Sequence, residues 1–341
     1  MTTRLIGTTN HGFAQYAQEE IRRLVPGVKF QVLEPGEVFL IHTDVSIEEM
    51  QGALVGQEPI FLRHVQPVTQ EMEIMRTRAD LETLIAFVQG LSGVFAQGEK
   101  VAVQVRKAAG VKFEYTPYGV KEAIDPILMQ EFGIEPVVRG EDRVISIYLG
   151  KEVLYWGVSR PQDNLSDWSG GAVRYKQEEG QVSRAKFKLL EAVERFGLDL
   201  STYERALDIG AAPGGWSSLL LERGLEVTAV DPGDMHPELV HHPNLVHHKK
   251  NAAEVKFEED AFDLLVCDMS WSPKQMSKLV ADLLHTLKPA GTAIITVKLM
   301  HGKPFQTVKE TMATFDGKLE LIQAKQLFHN REELTLHLRK I

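Results

Sequence analysis

The chain has 341 residues, of which 43% are hydrophobic and 25% charged, and a net charge of −9. That is an ordinary globular composition, long enough for two or three domains. No apolar run approaches the ~18 residues of a membrane span. The start, MTTRLIGTTNHGF, lacks a basic and then apolar leader, so no membrane association and a cytoplasmic location are expected. The single cysteine, Cys267, excludes a disulfide framework and a multi-cysteine zinc site.

The first segment reads strand, helix, strand, strand, helix, strand. RLIGTT is a short apolar strand, and GFAQYAQEEIRRLV has helical spacing. VKFQVL and EVFLIHT alternate around a Pro35-Gly36 turn, Ser46 opens a helix, and IFLRHVQPV closes the unit. This order predicts a ferredoxin-like α+β domain over residues 1–68. A second α+β domain is expected over residues 69–160. It contains the helix ADLETLIAFVQGL, the strand KVAVQVRK, a helix ending at Gly133, and two strands meeting at Gly150-Lys151. Residues 161–180, rich in Gly, Asp and Ser, read as a linker.

From 181 to 341 strands and helices alternate, which predicts a doubly wound α/β sheet. SRAKFKLLEAVERFG is a helix with Ser183 as N-cap and Gly197 past its end. RALDIG is a strand, GGWSSLLLERG a helix, and LEVTAVD, LVHHKKN and FDLLVCDMS are further strands. SPKQMSKLVADLLHTL is a helix that buries Met276, Val280, Leu283, Leu284 and Leu287. GTAIITVKL is a buried strand, and after the helix PFQTVKETMATF two strands close the chain.

Ligands of such sheets sit beyond the C-terminal strand ends. The turn DIGAAPGGW lies at one, opening a helix whose N-terminus favours negative charge. Asp231, about twenty residues on, is placed to accept ribose hydroxyls. A dinucleotide needs a glycine where Ala212 stands, followed here by Pro213, so that match fails. S-adenosylmethionine has no phosphates and suits the turn better. Its contacts are expected from Asp208, Gly210, Ala211, Ala212, Pro213, Gly214, Gly215, Trp216 and Asp231, with Asp268 at the next strand end. The competing reading is a glycine turn that only packs helix on strand.

Four charged residues recur at element ends: Lys188 on the first helix, Asp268, Lys298 and Glu333. Lys298 closes an apolar strand and needs a partner there, a buried pair with Asp268 being the plain alternative to a catalytic role. Together the four suggest alkyl transfer to an oxygen. Lys298 would be the base, Lys188 the neighbouring positive charge, and Asp268 and Glu333 would orient the pair.

SRAKFKLLEA, DIGAAPGGWS, VCDM, TVKL and REELTLHL resemble the FtsJ-type RNA 2′-O-ribose methyltransferases, which carry a Lys-Asp-Lys-Glu tetrad. The resemblance places that tetrad on Lys188, Asp268, Lys298 and Glu333, in a Rossmann-like domain. Glu333 is preferred to Glu332 because it directly precedes the alternating strand. The tail AKQLFHNREELTLHLRKI is similar to a subgroup that acts on a cytidine of 23S ribosomal RNA. That subgroup has ferredoxin-like and THUMP RNA-binding domains in front, which residues 1–160 resemble more loosely. The resemblance therefore implies ribosomal RNA, free or in a ribosome precursor, as partner. It leaves monomer or homodimer open. Asn251 takes the place of an aspartate near the adenine, DMSWSPK departs from the usual continuation after the aspartate, and Lys186 replaces an aromatic.

Against net acidity, basic residues recur near the expected site at Arg174, Lys176, Arg184, Lys186, Arg331, Arg339 and Lys340, and Arg106, Lys107 and Lys112 are candidate RNA contacts. Base methylation at guanine N2 is the nearest rival, but Asp268-Met269-Ser270-Trp271 lacks the two prolines of such sites. A cofactor-binding assembly factor without catalysis is the other. Cys267 precedes Asp268 and reads as core, and the histidines 236, 241, 242, 247 and 248 lack the partners of a metal shell, so no metal is expected.

Overall fold

The computed structural model describes residues 2–176 and 182–341. The chain divides into two compact units, Met1–Ala172 and Val173–Ile341.

The first unit opens with β1 (Thr3–Thr8), α1 (Ala14–Leu24), β2 (Lys29–Glu34), β3 (Val38–Thr43), α2 (Ile47–Gly56) and β4 (His64–Pro67). The four strands form an antiparallel sheet ordered β2-β3-β1-β4, the ferredoxin-like arrangement. Ala14, Ala17 and Ile21 form the buried stripe of α1. The Ser46 hydroxyl accepts the Glu49 amide at 3.1 Å and starts α2 as expected.

The unit continues with β5 (Gln70–Glu73), α3 (Ala79–Gln89), β6 (Lys100–Lys107), α4 (Pro117–Phe132), β7 (Glu135–Val137), β8 (Arg143–Leu149) and β9 (Val153–Ser159). These strands form a second sheet, β5-β9-β8-β6-β7. β5 and β7 carry no apolar alternation and owe their strand form to pairing with β9 and β6. Residues 161–172 belong to this unit. They fold as two short 3-10 turns, with Asn164 fully buried and Arg63 donating to the Gly170 carbonyl at 3.0 Å. The unit boundary thus falls inside the stretch read as a linker, and residues 177–180 of that stretch lie outside the described residues.

The second unit contains α5 (Lys186–Phe196), β10 (Arg205–Ile209), α6 (Gly215–Glu222), β11 (Glu226–Val230), α7 (Pro237–Val240), β12 (Leu245–His248), β13 (Phe262–Cys267), α8 (Pro273–Leu283), β14 (Leu287–Lys298), α9 (Pro304–Thr314), β15 (Leu319–Lys325) and β16 (Glu333–Lys340). Its seven strands run β12-β11-β10-β13-β14-β16-β15. β10 to β14 are parallel, and β16 is antiparallel to both its neighbours. Strand order reverses between β10 and β13, which opens a crevice at their C-terminal ends.

Two local expectations are corrected. Ser183 does not cap α5: its hydroxyl accepts the Ala185 amide at 3.2 Å in a turn, and the helix begins at Lys186. The start of α5 is held instead by the Trp216 indole N–H, which donates to the Ala185 carbonyl at 2.9 Å. The helix expected to reach Leu287 ends at Leu283. A 3-10 turn follows, and Leu287 begins β14, buried all the same.

Candidate active site

The glycine turn leaves β10 at Ile209. Gly210 has φ +76°, and a Cβ there would lie 2.4 Å from Met269 Cγ. The space Gly210 saves is therefore occupied by the side chain that follows Asp268. Gly214, at φ +108°, makes the same kind of room for Leu239, whose Cδ1 would lie 2.4 Å from an added Cβ. Gly215 brings α6 close to the start of α5. Trp216 is 3% exposed, so only its backbone faces the turn. Part of the glycine pattern serves packing.

The acids are arranged differently. Asp231 follows β11, and its Oδ1 accepts the Gly233 amide at 2.6 Å. Its other oxygen makes no hydrogen bond among the described residues. Asp208 is 1% exposed beneath the turn and accepts the Ser217 hydroxyl at 2.6 Å. Burial pushes its pKa from 3.8 to about 7 against the Ser217 hydrogen bond, with Asp268 and Asp231 adding to the rise. Asp208 therefore feels the two other carboxylates at the strand ends. Such a crevice repels a pyrophosphate and suits a cationic ligand with hydroxyls, which fits S-adenosylmethionine. Asn251 is exposed and donates to Glu254 at 3.1 Å.

Asp208 carries a pH signature. Between pH ~4 and ~7 the folded chain holds a proton on Asp208 that the unfolded chain has released, so stability falls as pH rises through that window. Asp208→Asn keeps an acceptor for Ser217 and removes the linkage. Thermal melts should show the variant gaining on the parent from pH 5 to pH 8; a constant gap would contradict the assignment.

The tetrad residues divide. Lys188 Nζ lies 3.1 Å from Asp268 Oδ1 and 2.8 Å from Glu333 Oε2. Burial alone would lower its pKa, but the two carboxylates outweigh that and raise it, so Lys188 is a firmly held cation. The Thr296 hydroxyl donates to Asp268 Oδ1 at 2.7 Å. Lys298 ends β14 directly across from Glu333 in the β14–β16 ladder. It is exposed, and among the described residues it makes no ion pair. The buried Lys298–Asp268 pair considered from the sequence does not form, because Lys188 takes Asp268.

Glu191, one turn along α5 from Lys188, reads in the sequence as part of a polar helix face with Arg184, Lys188 and Arg195, yet the structure buries it. It is 5% exposed and accepts the Phe328 and His329 amides at 2.7 and 2.9 Å, with His329 Nδ1 also 2.7 Å away. It thereby pins the turn that leads into Glu333. The one signal available was its place on the helical face of Lys188. Glu191→Ala should destabilise the second unit by ~2 kcal/mol or more in denaturant titrations, whereas Glu191→Gln, which keeps an acceptor, should lose less than half of that.

Other candidates are placed elsewhere. Lys186 is tied to Glu222 at 2.7 Å. Arg339 pairs with Glu320 and Lys340 with Asp260; both lie at the far end of β16, because that strand runs antiparallel away from Glu333. Arg184 and Arg331 are exposed. In the first unit Arg106 donates to the Thr8 hydroxyl at 2.6 Å and packs against Gly170, so it is not a surface contact, while Lys107 and Lys112 are exposed. Cys267 is fully buried, and burial, then Asp268 and Asp208, push its thiol up, which fits core packing. His236 Nδ1 accepts the Glu238 amide, His242 Nδ1 accepts the Asn244 amide, and His247 Nε2 meets the Asp231 carbonyl at 3.0 Å. Among the described residues no helix is long and apolar enough to cross a membrane.

A reversed strand beside a parallel sheet, a glycine turn and acids at the strand ends define a Rossmann-like methyltransferase domain. Residues 181–328 match the family of FtsJ-like methyltransferases. The family is S-adenosylmethionine-dependent. Curated relatives carry the name ribosomal RNA large subunit methyltransferase M. The Psychromonas ingrahamii protein is 35% identical over 206 residues, 57% of this chain and 56% of its own length. The Erwinia tasmaniensis protein is 29% identical over 314 residues, 86% of this chain and 83% of its own. The Tolumonas auensis protein is 26% identical over 338 residues, covering 95% and 84%. The chain spans little more than half the length of the first of these. Glu333 lies just beyond the family match.

Proposed function

We propose that the protein transfers a methyl group from S-adenosylmethionine to a ribose 2′-hydroxyl of large-subunit ribosomal RNA. The observation that carries this reading is Lys188 bridging Asp268 and Glu333 at the strand ends of an FtsJ-like domain, with Lys298 exposed directly across from Glu333. S-adenosylmethionine supplies an electrophilic methyl on a cationic sulfur. Asp231 would hold its ribose, and Asp208 and Asp268 would favour its positive charge. Gly210, Ala211, Ala212, Pro213, Gly214, Gly215 and the backbone of Trp216 would shape its cradle, with Asn251 at the adenine edge.

Lys298 would take the proton from the 2′-hydroxyl, and bound S-adenosylmethionine would supply the methyl group that the oxygen accepts. The charge on Lys188 is already compensated by two carboxylates. Lys188 serves to hold Asp268 and Glu333 in place.

The two sheets of the first unit, ferredoxin-like and THUMP-like, would bind the RNA, with Lys107 and Lys112 as surface contacts. The protein would work in the cytoplasm on a cytidine of 23S RNA. The relatives' name favours large-subunit ribosomal RNA as the substrate, and the absence of the proline pair after Asp268 disfavours guanine methylation. The test is incubation of the protein with 23S RNA and labelled S-adenosylmethionine, followed by mapping of ribose methylation. One new 2′-O-methyl nucleotide is expected. Label on a base, or none, would overturn the reading.

A further inference from the structure

A ribose in folded RNA presents its 2′-hydroxyl to a base such as Lys298 only if its nucleotide leaves the stack, and a displaced base needs a surface to pack on. The loops after β13 and β14 offer one. Trp271 stands three residues past Asp268 and is 44% exposed; Met300 stands two residues past Lys298 and is 54% exposed. β13 and β14 are adjacent and parallel, with Cys267 opposite Ile295, so both loops leave the sheet at the edge that carries Asp268 and Lys298.

The other tryptophans are engaged. Trp156 and Trp216 are each 3% exposed, and Trp168 lies beneath the Arg139 guanidinium at 3.3 Å. Of the four tryptophans, Trp271 is the exposed one. The backbone around both residues is anchored. The Ser272 hydroxyl accepts the Gln275 amide at the start of α8, the Met300 amide donates to Thr307 Oγ1 at 3.2 Å, and Leu299 donates to the Glu332 carbonyl at 2.7 Å. Their exposure therefore belongs to well-held loops. The chain neighbours of the two are Ser270, Ser272, Leu299 and His301, with Lys274, Lys298 and Lys303 a few residues away, a setting that suits a flat nucleobase carried on a phosphodiester chain.

We infer that Trp271, with Met300 beside the second loop, forms the platform on which the base of the acceptor nucleotide stacks. The inference rests on the proposed ribose methylation and adds the residues that grip the nucleotide. The test uses the full chain with two single-stranded probes, a decamer of oligocytidylate and an abasic decamer of equal length, read by tryptophan fluorescence and by competition. The parent should bind the decamer that carries bases ~10-fold or more tightly than the abasic one, with quenching. Trp271→Ala should erase that difference, leave abasic binding and cofactor affinity unchanged, and raise KM for RNA more than it lowers kcat. Trp271→Phe should restore most of it. If Trp271→Ala binds both probes as the parent does, the platform is wrong, whatever the enzyme does to ribose. If the discrimination vanishes with Trp271 but no ribose is methylated, the platform stands and the proposed reaction falls.

Discussion

Lys298→Met is expected to reduce methyl transfer by ~10²–10⁴-fold while leaving the melting temperature within a degree or so of the parent. The side chain is exposed at the end of β14 and makes no ion pair among the described residues, so its removal costs the fold little. Lys298→Arg separates two roles. Arginine keeps the positive charge but does not release its proton in a protein, so a base is lost and an electrostatic contact is kept. Both variants should be nearly inactive. An arginine variant with most of the parent's rate would show that charge, not proton removal, is what position 298 provides.

Lys188→Met is expected to cost both stability and activity. Asp268 and Glu333 would then share a half-buried site without a counter-charge. Breaking a fully buried pair costs about 3–5 kcal/mol. With side chains 15–19% exposed, about 2 kcal/mol is the fitting expectation here, measured by denaturant unfolding. Adding Asp268→Asn to Lys188→Met should recover most of that stability and none of the activity. Recovery of methyl transfer in the double variant would contradict the role of Lys188 in holding the acids.

The alternation of strands and helices from Arg205 onward made the second unit's architecture readable, as did the βαββαβ order at the start of the chain. The turn and the acids that follow β10, β11 and β13 were readable for the same reason: strand ends are where chemistry gathers in a parallel sheet. The pairing among them was not. On a helix wheel Lys188 looks like one of several solvated charges, and Lys298 looks like the residue in need of a partner. Only the rotation of α5 against the sheet decides that Lys188 takes both carboxylates. The insertion of β16 between β14 and β15 was equally hidden, because alternation reports that a strand exists and not which neighbour it chooses. The glycines misled in part. Gly214 and Gly215 mark close approaches of α7 and α5, contacts that come from elements distant in sequence or read as separate.

The bridge from Lys188 to Asp268 joins residues 80 apart in the chain, and the clasp of Glu191 on the turn before β16 spans 138. Closing such loops costs entropy that nearby contacts do not repay, so this constellation belongs to the late stages of folding. A chain with α5 and the first strands formed already has its turn and its acids after β10 and β11, yet holds no completed catalytic cluster. Competence arrives all at once, when the closing hairpin docks. The same dependence makes it the first property to go when that hairpin loosens.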